Sequence, residues 1–173
     1  RQFMPSVSLV RTPNAIGSGF FIERGIFVTN YHVIAGASGG FIQVKVGAAQ
    51  QTVNLRIARI ISFYVNKTDA DLAILSVPAA KQYTIPSIPL APLHRGIEIG
   101  EAVFSLGNPT GLVGTISQGL VSAAPRYPGT KVESVQFSAA ISAGSSGGPV
   151  LNSAGEVIGV NVLTRLGEVI DKG

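Results

Sequence analysis

Apolar residues recur in short bursts along this chain, and two bursts alternate cleanly with polar ones: Phe41-Ile42-Gln43-Val44-Lys45-Val46 and Val53-Asn54-Leu55-Arg56-Ile57. A period of two puts one set of side chains on each face of an extended backbone, so both segments predict half-buried strands. Denser runs, Ile26-Phe27-Val28-Thr29 and Leu72-Ala73-Ile74-Leu75-Ser76-Val77, predict further strands. The first leads into Val33-Ile34-Ala35-Gly36, which fits a short helical turn, and Phe21 to Phe27 predicts a tight reversal. No stretch carries the pattern of a long amphipathic helix. Twenty-one glycines and ten prolines punctuate the runs, and the fold class this predicts is all-β.

A length of 173 residues suits one domain, or two small barrels that share an interface. Pro78, Pro86, Pro89 and Pro92 exclude the stretch from Pro78 to Gly96 from any central strand, because proline has no N–H to give to a ladder. That stretch predicts a crossing between barrels, with residues 1–85 forming the first and residues 86–173 the crossover and the second. No internal repeat or low-complexity tract interrupts the pattern.

Charge adds exclusions rather than functions. The formal net charge is +4, but the thirteen basic residues form no cluster of groove size, so nucleic acid is not an expected partner. No cysteine is present, which excludes disulfides and thiolate metal sites, and two distant histidines, His32 and His94, have no metal-binding spacing. No metal and no cofactor are expected. No apolar stretch reaches the roughly twenty residues of a membrane-spanning helix, so no membrane span is expected.

Candidate chemistry sits near the C-terminus, in Gly144-Ser145-Ser146-Gly147-Gly148-Pro149. A serine hydroxyl attacks a carbonyl only when a base takes its proton, and the resulting oxyanion needs backbone N–H donors close by. Glycine lets the backbone approach and turn its amides inward. Ser146 is the better nucleophile, with its own amide and that of Gly144 as oxyanion donors and Ser145 in the same loop. The bland alternative is a Gly-Ser loop with no chemistry. The partners come from a short supply: His32, at the end of an apolar run, and the aspartates Asp69, Asp71 and Asp171. His94 lies in a Pro-rich connection and reads as solvated. Asp71 opens an apolar run that can anchor it, whereas Asp69 sits in the polar turn Asn66-Lys67-Thr68 and Asp171 lies near the end.

Chain order then discriminates between architectures. The Gly-x-Ser-x-Gly pattern of the α/β-hydrolases requires a histidine after the serine, and none follows Ser146; the subtilisin order requires an aspartate before the histidine, and none precedes His32. Histidine, aspartate, serine is the order of the two-barrel chymotrypsin architecture.

Gly17-Ser18-Gly19-Phe20, Val28-Thr29-Asn30-Tyr31-His32-Val33-Ile34 and Asp71-Leu72-Ala73-Ile74-Leu75 resemble successive blocks of the HtrA/Deg-type trypsin-like serine proteases. Leu106-Gly107-Asn108-Pro109, Thr115 to Ser122 and Gly155 to Asn161 are similar to later blocks, in the same order, so the resemblance spans nearly the whole chain. It implies a serine endopeptidase of two-barrel fold in which His32 is the general base, Asp71 its orienting partner and Ser146 the nucleophile. Ala140, six residues before the nucleophile, and Ile141 fall at the specificity pocket. With no aspartate at 140, the resemblance implies cleavage after small or medium apolar residues.

It further implies an unfolded or extended polypeptide as substrate, and an extracytoplasmic setting, periplasmic or secreted. A homo-oligomer, a trimer in this family, could form through N-terminal apolar residues such as Phe3 and Met4. There are departures. Ser145 stands where asparagine is common, and Ser138 to Ala143 replaces Asp-Ala-Ala-Ile-Asn-Pro. The family's long loop near the first hairpin is missing, and members frequently continue into PDZ domains. A catalytically silent module that binds peptides by adding them as a strand is the alternative.

Overall fold

Alternation becomes burial most plainly in the strand Phe41–Val46, where Ile42, Val44 and Val46 are buried and Phe41, Gln43 and Lys45 face outward. The computed structural model describes residues 6–46, 51–57, 59–66, 70–92, 94–108, 114–126 and 134–162. They form twelve strands: β1 (Val7–Arg11), β2 (Ile16–Glu23), β3 (Ile26–Thr29), β4 (Phe41–Val46), β5 (Gln51–Arg56), β6 (Arg59–Asn66), β7 (Ala70–Ser76), β8 (Ala102–Gly107), β9 (Thr115–Arg126), β10 (Ser134–Phe137), β11 (Pro149–Leu151) and β12 (Val157–Val160). One helical turn, α1 (Tyr31–Ile34), follows β3, and a 3₁₀ turn covers Pro78–Gln82.

The strands make two antiparallel sheets. The first has the order β5-β4-β1-β2-β3-β7-β6 and the second β10-β9-β8-β11-β12. Each is a curled half-barrel built from one half of the chain, as the all-β two-barrel expectation required. The tight reversal predicted between Phe21 and Phe27 is the β2–β3 hairpin, in which those two residues pair and their rings meet edge to face at 4.8 Å. Gly25 turns the corner at a φ of 86°.

Strands β1, β2 and β3 differ from β4 because both of their faces are covered. Val10, Phe21 and Phe27 point into the first sheet's own core with Ile42, Leu55 and Leu75. Val7, Phe20 and Val28 point the opposite way and pack on Leu106, Leu151 and Val157 of the second sheet, with Ile88 of the crossover between them. Successive side chains on a strand alternate faces, so these three strands form a wall shared by both half-barrels. Fully burying each such residue is worth about 1.5–3 kcal/mol. The wall therefore fixes how the halves sit.

The proline-bearing stretch does cross between the sheets. Its backbone is stitched to both: the Ile88 amide donates to the Phe21 carbonyl at 2.8 Å, the Val157 amide to the Pro89 carbonyl at 2.8 Å, and the Ala91 amide to the Val157 carbonyl at 2.9 Å. Among the described residues, no helix is long and apolar enough to cross a membrane.

Candidate active site

The register of β3 against β7 delivers the first pair of groups. Thr29 lies opposite Ala73 in this antiparallel ladder, so two residues further along each strand Asp71 comes beside Tyr31 and the start of α1. The Asp71 carboxylate accepts the His32 backbone N–H at 2.8 Å and contacts Nδ1 of the His32 ring. Asn30 donates its side-chain N–H to the Asp71 carbonyl at 2.6 Å, tying down the strand end that presents the acid. A carboxylate on Nδ1 fixes the ring's orientation and, with Nδ1 protonated, leaves Nε2 as the basic nitrogen.

Burial alone pushes the Asp71 carboxyl up, but hydrogen bonds from the His32 ring and amide, the charge of His32 and the Tyr31 amide together outweigh it. The net result holds Asp71 below its ordinary value, ionised beside the imidazole. The His32 side chain is 52% exposed and that of Asp71 29%, so the imidazole opens to the surface while the carboxylate is more sheltered. His94 is exposed in the crossover, as expected. Asp69 and Asp171 lie outside the described residues.

The Ser146 loop belongs to the second half of the chain yet is anchored on the first. The Ser18 amide of β2 donates to the Ser146 carbonyl at 2.7 Å, and the Ser18 hydroxyl to the Gly144 carbonyl at 2.6 Å. Gly147 sits so close to β3 that a side chain there would meet the Thr29 hydroxyl at 2.5 Å and the Asn30 amide nitrogen at 2.9 Å. Its φ of 88° is a second reason for glycine. The residue after Ser146 thus abuts the segment Thr29–Asn30 that runs into His32.

Inside the loop, the Ser145 amide donates to the Ser142 carbonyl at 2.9 Å and the Gly148 amide to the Ser145 carbonyl at 3.0 Å. Asn161 at the end of β12 takes the Gly147 amide at 2.9 Å and returns its own to Gly148 at 2.8 Å. Of the three residues placed at the expected oxyanion site, Ser145 has its amide engaged in the turn. Those of Gly144, at a φ of 93°, and Ser146 meet no acceptor among the described residues. Ser145 itself is buried, and a side chain at Gly107 would crowd its Cα at 3.0 Å, so little room exists there for a larger residue.

Beside the loop, segment 138–140 is pinned to β9. Ser138 and Leu120 exchange two hydrogen bonds at 3.0 Å, and the Ser117 hydroxyl donates to the Ala140 carbonyl at 2.6 Å. Ala140 is exposed and Ile141 half-buried, and neither side chain carries a charge. Among the described residues, no cluster of three or more His, Asp or Glu side chains could hold a metal.

Sequence reasoning missed Ser18, Asn30, Asn108 and Asn161 as parts of this arrangement. The signal for Ser18 was present, since Gly17-Ser18-Gly19 within a strand marks a close backbone approach; what approaches it lies 126 residues away.

Residues 17–160 match the family model of the trypsin-like peptidase domain. The chain is 37% identical over 160 residues to the putative serine protease HhoA of Synechocystis, and 37% identical over 168 residues to the chloroplastic protease Do-like 1 of Arabidopsis thaliana. These alignments cover 86% and 93% of this chain but 37% and 36% of the relatives, so it spans little more than a third of their length. Among solved structures, that of Deg5 superposes with a TM-score of 0.79 at 30% identity, covering 94% of this chain and 81% of that one. The order of sheets, the His32–Asp71 pair and these likenesses agree: the chain belongs to the HtrA/Deg-type trypsin-like serine proteases.

Proposed function

We propose that this domain, residues 1–85 as the first half-barrel and 86–173 as crossover and second, is a serine endopeptidase acting through an acyl-enzyme. The observation that carries the reading is the carboxylate-held imidazole of His32, with a serine loop bonded to β2 and abutting the Thr29–Asn30 segment that leads into it. Ser146 Oγ attacks the peptide carbonyl carbon while its proton passes to His32 Nε2. The carbonyl oxygen becomes an oxyanion facing the free amides of Gly144 and Ser146. Collapse breaks the C–N bond, and His32 returns the proton to the departing amine. Water then repeats the sequence against the ester and releases Ser146. Asp71 stays ionised throughout and stabilises the imidazolium.

The substrate is an extended polypeptide, with a small or medium apolar residue before the cut, because Ala140 brings no charge to the pocket. Assembly as a homo-oligomer and an extracytoplasmic setting belong to the same reading. Phe3 and Met4, the N-terminal residues that would make a trimer, lie outside the described residues. The Arabidopsis relative is chloroplastic by name, so fractionation of the source cells is the test of compartment.

Labelling with a fluorophosphonate, with mass mapping of the adduct, tests the chemistry. Modification of Ser146 together with cleavage of valine and alanine peptides ahead of arginine peptides is the expected result. An arginine preference would defeat the pocket assignment. Peptide binding by a protein that is never labelled would replace the enzyme with a silent binding module.

A further inference from the structure

Ser18 is fully buried on the face of β2 that meets the second half of the chain. Its hydroxyl does two things at once, donating to the Gly144 carbonyl at 2.6 Å and accepting the Asn108 backbone N–H at 2.8 Å. The Asn108 side-chain amide reaches the same oxygen at 3.4 Å. The Ser18 main chain adds two more bonds, from its N–H to the Ser146 carbonyl at 2.7 Å and to its carbonyl from the Thr29 hydroxyl at 2.7 Å. One residue of the first sheet therefore grips the peptide groups 144–145 and 146–147.

Between those two peptide groups lies the one that joins Ser145 to Ser146, whose carbonyl is taken by Gly148 and whose N–H meets no acceptor among the described residues. A peptide plane held by its own carbonyl and flanked by two pinned neighbours has little rotation left, so the Ser146 N–H is aimed before any substrate arrives. Pinning the Gly144 carbonyl likewise fixes one side of the residue that supplies the second donor. We propose that Ser18 is a positioning residue for the oxyanion donors, coupling their direction to the seating of the second half-barrel on the first. Only a side chain that donates and accepts together can satisfy both Gly144 and Asn108, which is why a hydroxyl stands between two glycines here. Alanine would leave the buried Asn108 N–H and the part-buried Gly144 carbonyl unpaired and free the loop to turn.

The assignment rests on the hydrolase reading, and the experiment separates the two. Ser18→Ala and Ser18→Thr are compared with the unaltered protein for kcat, KM, affinity for a peptide boronate and thermal midpoint. Misplaced donors cost on the order of 10- to 100-fold. The alanine variant should lose that much in kcat and in boronate affinity, with KM within about twofold and the fold intact, and threonine should recover most of the loss. Should the alanine variant not fold, Ser18→Cys, near in size but a poor donor, takes its place with the same readouts. A folded Ser18→Ala that matches the unaltered protein in kcat and boronate affinity overturns the assignment alone. So does a fall in kcat matched by an equal fold-rise in KM with boronate affinity unchanged. An unaltered protein that neither cleaves peptides nor takes a fluorophosphonate overturns the hydrolase reading, and this assignment with it.

Discussion

The two half-barrels are built to different standards. The first has an apolar core of its own, running from Val10 through Phe21, Phe27, Ile42, Leu55 and Leu75 to Val77. Among the described residues, the buried core private to the second is Val103, Val121 and Val150, with Ile97, Val135, Phe137 and Ile158 partly buried against it, while the buried Leu106, Leu151 and Val157 pack on the shared wall. Charge divides as unevenly, with eight Lys and Arg against three Asp and Glu in residues 1–85 but five against six in residues 86–173. The half with the deeper core carries His32 and Asp71 on α1 and β7. The thinner half carries Ser146 on a loop that borrows its hold from β2. Precision in the serine loop is thus imported across the interface.

The largest effects should come from the groups that do chemistry and should leave both cores untouched. Ser146→Ala is expected to lower kcat on the order of a millionfold with an unchanged thermal midpoint, and Asp71→Asn by about 10⁴-fold, while Asp69→Asn stays near the unaltered rate. Peptide hydrolysis at saturating substrate gives these numbers directly. Equal losses at 69 and 71 would remove the acid from β7 and with it half of the contrast.

Stability sharpens the same contrast at a smaller scale. Phe27→Ala, deep in the first core, should cost about 3–5 kcal/mol, and Val103→Ala in the second about 1–3 kcal/mol. Denaturant unfolding measures both. Were Val103→Ala the more costly, the second half would not be the thinner one.

The smallest effect is pH dependence. Because the folded Asp71 carboxyl is held below its ordinary value, it binds protons less readily than in the unfolded chain. The stabilisation from this group is complete above the unfolded value and disappears as pH falls through the folded one. Unfolding midpoints followed from about pH 6 to pH 2 should therefore drop more steeply for the unaltered protein than for Asp71→Asn. Parallel curves would mean that Asp71 gains nothing from its contact with His32.

Local pattern made some of this legible and geometry at a distance concealed the rest. Alternation from Phe41 to Val46 announces a one-sided strand because a single partner surface decides every position. Residues Gly17 to Phe21 are all buried, and no alternation can show that their two faces meet two different halves of the molecule. His32 and Asp71 could be picked out as candidates because the chain has only two histidines and three aspartates, and Ser146 because glycines surround it. Ser18 could not, since a serine becomes informative only through what it bonds to, and Gly144 and Asn108 come near it solely through the shared wall. The same holds for Asn161, whose exchange with Gly147 and Gly148 closes the loop from the far edge of the second sheet.

The crossover has one more implication. A connector that gives hydrogen bonds to β2 on one side and to β12 on the other is no pivot, for any opening of the two halves would tear its own backbone contacts. These bonds act beside the apolar wall, so the link between the halves is itself part of what seats one upon the other.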